Sequence, residues 1–212
     1  DAGSNNVYNI TVTASDGTLT NSKAVAITVT NVNETPTDIA LSASSVAENQ
    51  SSGTTVGTFS TTDPDTGNTF TYTLVSGTGD TDNASFTIES GVLKTAASFD
   101  YETKSSYSIR VRSTDQGGLS TDKTFTISVT DVNESPSVTS GSTASFAENA
   151  TGTVYTAIAT DPEGTTLSYS ISGTDASLFD INSSTGVITF KTSPNYESPS
   201  DAGSNNVYNI TV

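Results

Sequence analysis

The stretch SYSIRVRSTDQGGLSTDKTFTISVTDVNESP, Ser106–Pro136, decides how the rest of the chain is read. Tyr107, Ile109 and Val111 alternate with Ser and Arg, and Phe125, Ile127 and Val129 alternate with Thr and Ser. A period of two places each apolar set on one face, as a half-buried strand requires. A Gly-rich segment suited to a turn lies between them. The acidic string DVNESP follows.

The same alternation occurs at Phe70, Tyr72, Leu74; at Leu167, Tyr169, Ile171; and at Tyr208, Ile210, Val212. Near the start it occurs at Tyr8, Ile10, Val12 and at Val25, Ile27, Val29. Turn residues recur every eight to twelve positions or so, and no segment has a helical period. Six or seven such strands in about a hundred residues indicate an antiparallel β-sandwich, with these aromatics packed in its core.

DVNESP at Asp131–Pro136 returns as NVNETP at Asn31–Pro36, 100 residues earlier. Asp1–Val12 and Asp201–Val212 both read DAGSNNVYNITV, 200 residues apart. The chain therefore reads as the tail of one repeat (1–34), a complete repeat A (35–134) and a second repeat B (135–212) cut before its last strand. Two explanations stay open. The chain is a window on a longer covalent array, or Val7–Val29 of one molecule completes repeat B of the next by strand donation. In the second case Val7–Val12 and Val207–Val212 compete for one strand position. Both predict a fibre.

Of the charged residues, 23 are acidic and 7 basic, for a net charge of −16. Such a chain repels nucleic acid and anionic membrane and attracts hard cations with oxygen ligands. With no Cys and no His, a zinc site of the usual kind, a thiol nucleophile and haem ligation by His are excluded. No apolar run long enough to span a membrane is present.

The acidic residues are clustered. In A they fall at Glu48-Asn49, Asp63-Pro-Asp65, Asp100-Tyr-Glu102, Asp115 and Asp131-Val-Asn133-Glu134. In B the series is Glu148-Asn149, Asp161-Pro-Glu163 and Asn195-Tyr-Glu197, with Asp16 and Asn31-Val-Asn33-Glu34 supplied by the tail copy. One such carboxylate is ordinarily a turn former. The same ordered series in both repeats, at expected loops, points to a shared cation that neutralises it.

These motifs resemble those of the cadherin repeat family in its bacterial form. VAEN (Val46–Asn49) and FAEN (Phe146–Asn149) resemble its base-glutamate motif. FDYE (Phe99–Glu102) resembles its Asp-Arg-Glu segment, with Tyr101 in place of Arg. DPD and DPE resemble its Asp-x-Asp motif, and DVNES resembles its linker, from which Glu134 and Ser135 depart. LFDINSSTGVITF (Leu178–Phe190) is similar to a core segment of the family. The resemblance implies tandem seven-stranded Greek-key β-sandwich domains, cadherin- or immunoglobulin-like, joined end to end.

It also implies Ca²⁺ between successive repeats. The A-to-B junction would use Glu48, Asp100, Glu102, Asp131, Asn133, Glu134, Asp161, Glu163 and a counterpart of Asp16. The B-to-A junction would use Asn31, Asn33, Glu34, Asp63, Asp65 and Asp115, with counterparts of Glu148, Asn195 and Glu197. Asn31 and Asn195 replace carboxylates in the second set, so the first is expected to bind calcium more tightly.

The leading expectation is an extracellular, calcium-stiffened adhesin stalk or filament of the cell surface. Its partners would be neighbouring copies of the same repeat and a cell-surface or polysaccharide target, without membrane insertion. A carbohydrate- or receptor-binding module is the rival, with Tyr155 and Tyr196 as candidate exposed aromatics. Catalysis by a pair such as Asp63/Asp65 fits the repeated placement less well than ligation does.

Overall fold

The computed structural model describes Asp1 and residues 3–212. They form two compact units: residues 1–99 with 104–130, and residues 100–103 with 131–212. Among the described residues no helix is long and apolar enough to cross a membrane.

Unit 1 opens with a hairpin, β1 (Val7–Ser15) and β2 (Thr20–Thr28), joined by a four-residue loop. Eight further strand segments follow: β3 (Asp38–Leu41), β4 (Ser45–Ala47), β5 (Thr55–Thr62), β6 (Phe70–Leu74), β7 (Phe86–Glu89), β8 (Val92–Thr95), β9 (Ser106–Asp115) and β10 (Ser120–Thr130). They make two four-stranded sheets, β3-β5-β8-β7 and β4-β10-β9-β6. β3 and β4 are successive pieces of one edge strand that crosses from sheet to sheet, so the sandwich has seven strands in the expected arrangement. β4 pairs in parallel with β10 at Val46↔Val129. β9 pairs antiparallel with β10 over nine residue pairs, including Ile109↔Phe125.

The alternation read from the sequence becomes the core. Ile39, Val56, Phe59, Phe86 and Leu93 from one sheet meet Val46, Ile109, Val111, Ile127 and Val129 from the other, all buried. Phe59 stacks on Tyr72 at 5.3 Å between ring centroids, and Phe99 on Tyr107 at 4.3 Å. On the outer face of β9 and β10, Arg112 Nε and Arg110 Nη2 donate to opposite oxygens of Asp122, at 2.7 and 3.0 Å.

Unit 2 is less complete. It contains β11 (Ser137–Val138), β12 (Thr153–Thr156), β13 (Ala159–Thr160), β14 (Phe179–Ile181) and β15 (Val187–Phe190). Phe179, Ile188 and Ala157 are buried, and Tyr208 packs edge-on against Phe179 and Phe190. Two expected strands are absent. Leu167–Ile171 and Tyr208–Val212 are irregular; an isolated bridge pairs Ser172, just after the first, with Thr211 in the second. In unit 1 their counterparts β6 and β9 pair with each other, and β9 is held in turn by β10; among the described residues unit 2 has no strand in the place of β10. The expected half-burial of the N-terminal tail is also corrected. Tyr8, Ile10, Val12, Ile27 and Val29 are 46–55% exposed, because the β1–β2 hairpin pairs only with itself.

Ile127→Ala removes a fully buried side chain and should cost unit 1 about 2–5 kcal/mol, read by urea unfolding. The two arginines beside Asp122 hold its carboxyl down from 3.8 to about 2. A depressed acid stabilises the fold above its unfolded value and loses that contribution as pH falls through the folded one. Asp122→Asn should therefore flatten the decline in melting temperature between pH 4 and 2 or so, and cost about 1 kcal/mol at neutral pH.

Candidate metal-binding residues

In unit 1 the linker segment and two loops of the sandwich converge. Asn31 Nδ2 donates to Asp65 Oδ1 at 2.6 Å, and the Glu34 backbone N–H donates to Asp65 Oδ2 at 2.8 Å. These bonds, the backbone one foremost, hold the Asp65 carboxyl below its ordinary range. Asn33 Nδ2 donates to Asp115 Oδ2 at 2.9 Å, and Asp115 is buried at the end of β9. Asp63 lies beside Asp65, its Oδ1 accepting from Asp65 N–H and from Asn68 Nδ2. Its other oxygen, Oδ2, is buried and lacks a hydrogen-bond partner. The six residues expected at the B-to-A junction thus occupy one neighbourhood, with Asn31 and Asn33 serving as hydrogen-bond donors to carboxylates.

Sequence reading missed the supports of this cluster. Asn68 fixes Asp63, and Gln116 Nε2 donates to Asn68 Oδ1 at 2.9 Å. Gly117 lies so close to Asn33 that a Cβ there would meet its amide at 2.5 Å. Asp16 stands apart in the β1–β2 loop. Its Oδ1 accepts from Leu19 N–H, Thr18 N–H and the Thr18 hydroxyl, and these bonds hold its carboxyl low.

Glu48 follows β4 and is fully buried, its N–H bonded to the Thr130 carbonyl. The Asn of the Glu-Asn motif has a local explanation. Asn49 and Asn149 sit at φ of 59° and 58°, a left-handed conformation that Asn tolerates better than most residues. Their N–H groups bond the carbonyls of Phe99 and Pro194, respectively.

In unit 2, carboxylate oxygens of Glu102, Glu134 and Glu163 lie within 4.8 Å of one another. Glu163 Oε1 accepts the Glu134 N–H at 2.6 Å, while Glu163 Oε2 is buried with no hydrogen-bond partner. Asp161 Oδ1 accepts from the Thr165 N–H and hydroxyl, and the former chiefly keeps its carboxyl low. Asp100 is held by Thr103 in the same manner. Asp131 and Asn133 are exposed. Glu148 is exposed and accepts from Tyr196 N–H, and Asn195 Oδ1 accepts from Glu197 N–H.

Three carboxylates at that spacing repel one another, and a buried carboxylate oxygen without a donor is costly. A hard cation answers both problems. The donors are carboxylate and amide oxygens without His or Cys, which fits Ca²⁺ rather than zinc.

Residues 42–130 match the family model described as cadherin domain. Dachsous of Drosophila melanogaster is 30% identical over 202 residues, covering 86% of this chain and 6% of its own length. Human protocadherin gamma-A9 is 33% identical over 213 residues, covering 90% of this chain and 22% of its own. The chain spans less than a quarter of either relative. The structure of mouse cadherin-23 domains EC22-24 superposes with a TM-score of 0.61 at 26% identity, covering 93% of this chain and 68% of that one. These three are animal proteins, whereas the motifs resemble the bacterial form.

Gly117→Ala should push Asn33 off Asp115 and destabilise unit 1 by about 1 kcal/mol. Changed shifts of the Asn33 side-chain amide in NMR spectra, with those of Asn68 retained, would show it.

Proposed function

We propose that the chain is a segment of a tandem cadherin array, extracellular and non-enzymatic, whose acidic linkers bind Ca²⁺ and stiffen a surface adhesin or filament. One observation carries this reading: the buried, donor-less Glu163 Oε2 beside the carboxylates of Glu102 and Glu134. Asp63 Oδ2 supports it independently. Glu102, Glu134 and Glu163 would hold one ion, and Glu48, Asp100, Asp131, Asn133 and Asp161 complete the proposed A-to-B set. Asn31, Asn33, Glu34, Asp63, Asp65 and Asp115 form the weaker B-to-A set, with counterparts of Glu148, Asn195 and Glu197.

Calcium would supply charge neutralisation and a tie between the linker and the repeats it joins. The chain's own residues do the positioning: the Glu34 and Glu134 N–H groups orient Asp65 and Glu163. A bacterial source and a stalk role belong to this proposal, as does a cell-surface or polysaccharide target.

Calorimetric titration with Ca²⁺ should show saturable binding, weakened at least tenfold by Glu163→Gln. Chelation should increase protease cleavage near Asn31–Glu34 and Asp131–Glu134 and increase flexibility in small-angle scattering. Absence of calcium binding at millimolar concentration would refute the proposal.

A further inference from the structure

At one end of the unit 1 sandwich, two strands pass from apolar to acidic along their inner faces. On β5 the inward series is Phe59, Thr61 and, just past the strand, Asp63. On β9 it is Val111, Ser113 and Asp115. A period of two puts each series on one face. The two strands belong to opposite sheets. A layer of hydroxyls therefore stands between the apolar core and the two carboxylates.

Thr61 Oγ1 and Ser113 Oγ share a hydrogen bond of 2.6 Å from sheet to sheet, and Thr61 Oγ1 donates to the Tyr72 hydroxyl at 3.0 Å. Ser113 is fully buried. Tyr72 is its Cα partner on β6 and stacks on Phe59. Apolar packing is non-directional, whereas a hydrogen bond fixes both distance and angle. Replacing both partners of a buried pair by apolar groups of the same shape is close to neutral for folding, so stability alone does not account for the hydroxyls. Unit 2 makes the other choice. Ala159 stands in the place of Thr61, and its N–H donates to the hydroxyl of Tyr169, the counterpart of Tyr72. In the tail copy Ala14 stands in the place of Ser113.

We propose that Thr61 and Ser113 are positioning residues: their bond clamps the two sheets and sets the separation of Asp63 and Asp115, so that a cation meets a preformed pair. This rests on the calcium reading of the set that contains them. The other bonds to these carboxylates are made within one loop or to the linker. Asp63 Oδ1 accepts from Asp65 N–H and Asn68 Nδ2, and Asp115 accepts from Leu119 N–H and Asn33 Nδ2. They orient each carboxyl and leave the spacing of the two strands free. The Gln116–Asn68 bond does join the loops, but it is exposed, where water competes for it. The hydroxyl clamp acts from the buried side. Preorganisation lowers the ordering cost of binding. In a set where Asn31 and Asn33 bring no charge, geometry supplies part of what charge does not.

Three variants of the whole chain test it. Thr61→Val keeps the shape and removes the hydroxyl, Thr61→Val with Ser113→Ala removes both hydroxyls and leaves no orphan, and Thr61→Ser keeps the hydroxyl. NMR-followed titration with Ca²⁺ reads the Asp65 and Asp115 amides separately from those of Glu134 and Glu163. Affinity at the first pair should fall by about tenfold in both hydroxyl-less variants, return in Thr61→Ser, and stay at the parent value at the second pair. Without calcium, amide exchange at Leu119, whose N–H is held by Asp115 Oδ1 at 2.9 Å, should quicken in the hydroxyl-less variants and not in Thr61→Ser. Parent-like affinity in the hydroxyl-less variants overturns the proposal. So does an equal loss in Thr61→Ser or at the second pair, and so does unchanged exchange at Leu119. A parent chain that takes up no calcium refutes the calcium reading instead, and Leu119 exchange then decides alone whether the clamp holds Asp115.

Discussion

A strand exists here only where its backbone edge finds a ladder and its apolar face finds a cover, and β10 supplies both for its neighbours. It pairs with β4 on one side and β9 on the other, and it sends Ile127 and Val129 into the core. The candidate ligands depend on it as well. Glu48, just after β4, is fully buried with its N–H on the carbonyl that ends β10, while its counterpart Glu148 in unit 2 is exposed. The position of Glu48 is thus set by the last strand of its own sandwich, some eighty residues along the chain.

The sandwich was legible because period-two alternation is local and repeated. Phe70–Leu74, Tyr107–Val111 and Phe125–Val129 are strands in the faces expected. Leu167–Ile171 has an equally good pattern and is irregular, since the pattern states a preference for burial and cannot supply the partner. The tail strands err in the opposite sense: they pair as read, but their apolar face has nothing to lie against.

Site legibility divides along the same line. Asp63, Asp65 and Asp115 became candidates from recurrence, and Asn31, Asn33 and Glu34 from the linker motif. Asn68, Gln116 and Gly117 were not, because their roles arise from contacts made only on folding. Acidic character alone is also ambiguous in this chain. Asp175 is buried and spends its two oxygens on the N–H groups of Ala202 and Asn209. Asp201 is buried and caps Asn205 and Asn206. Such carboxylates are already satisfied by backbone donors. Glu163 and Asp63, each with one buried oxygen left over, are of another kind.

The duplicated dodecamer separates what sequence dictates from what surroundings dictate. Ser4 and Asn6 adopt φ of 48° and 57°; Ser204 and Asn206 adopt 50° and 61°. Asn5 and Asn205 each accept the N–H of the Val two residues on. The turn is therefore written into these residues and forms twice, but the segment after it is a strand at Val7–Val12 and irregular at Val207–Val212. Chemically identical amides in two settings within one covalent molecule have the same intrinsic exchange chemistry. Each copy serves as the other's reference, and the ratio of their deuterium uptake reports the energetic effect of context with no model peptide required.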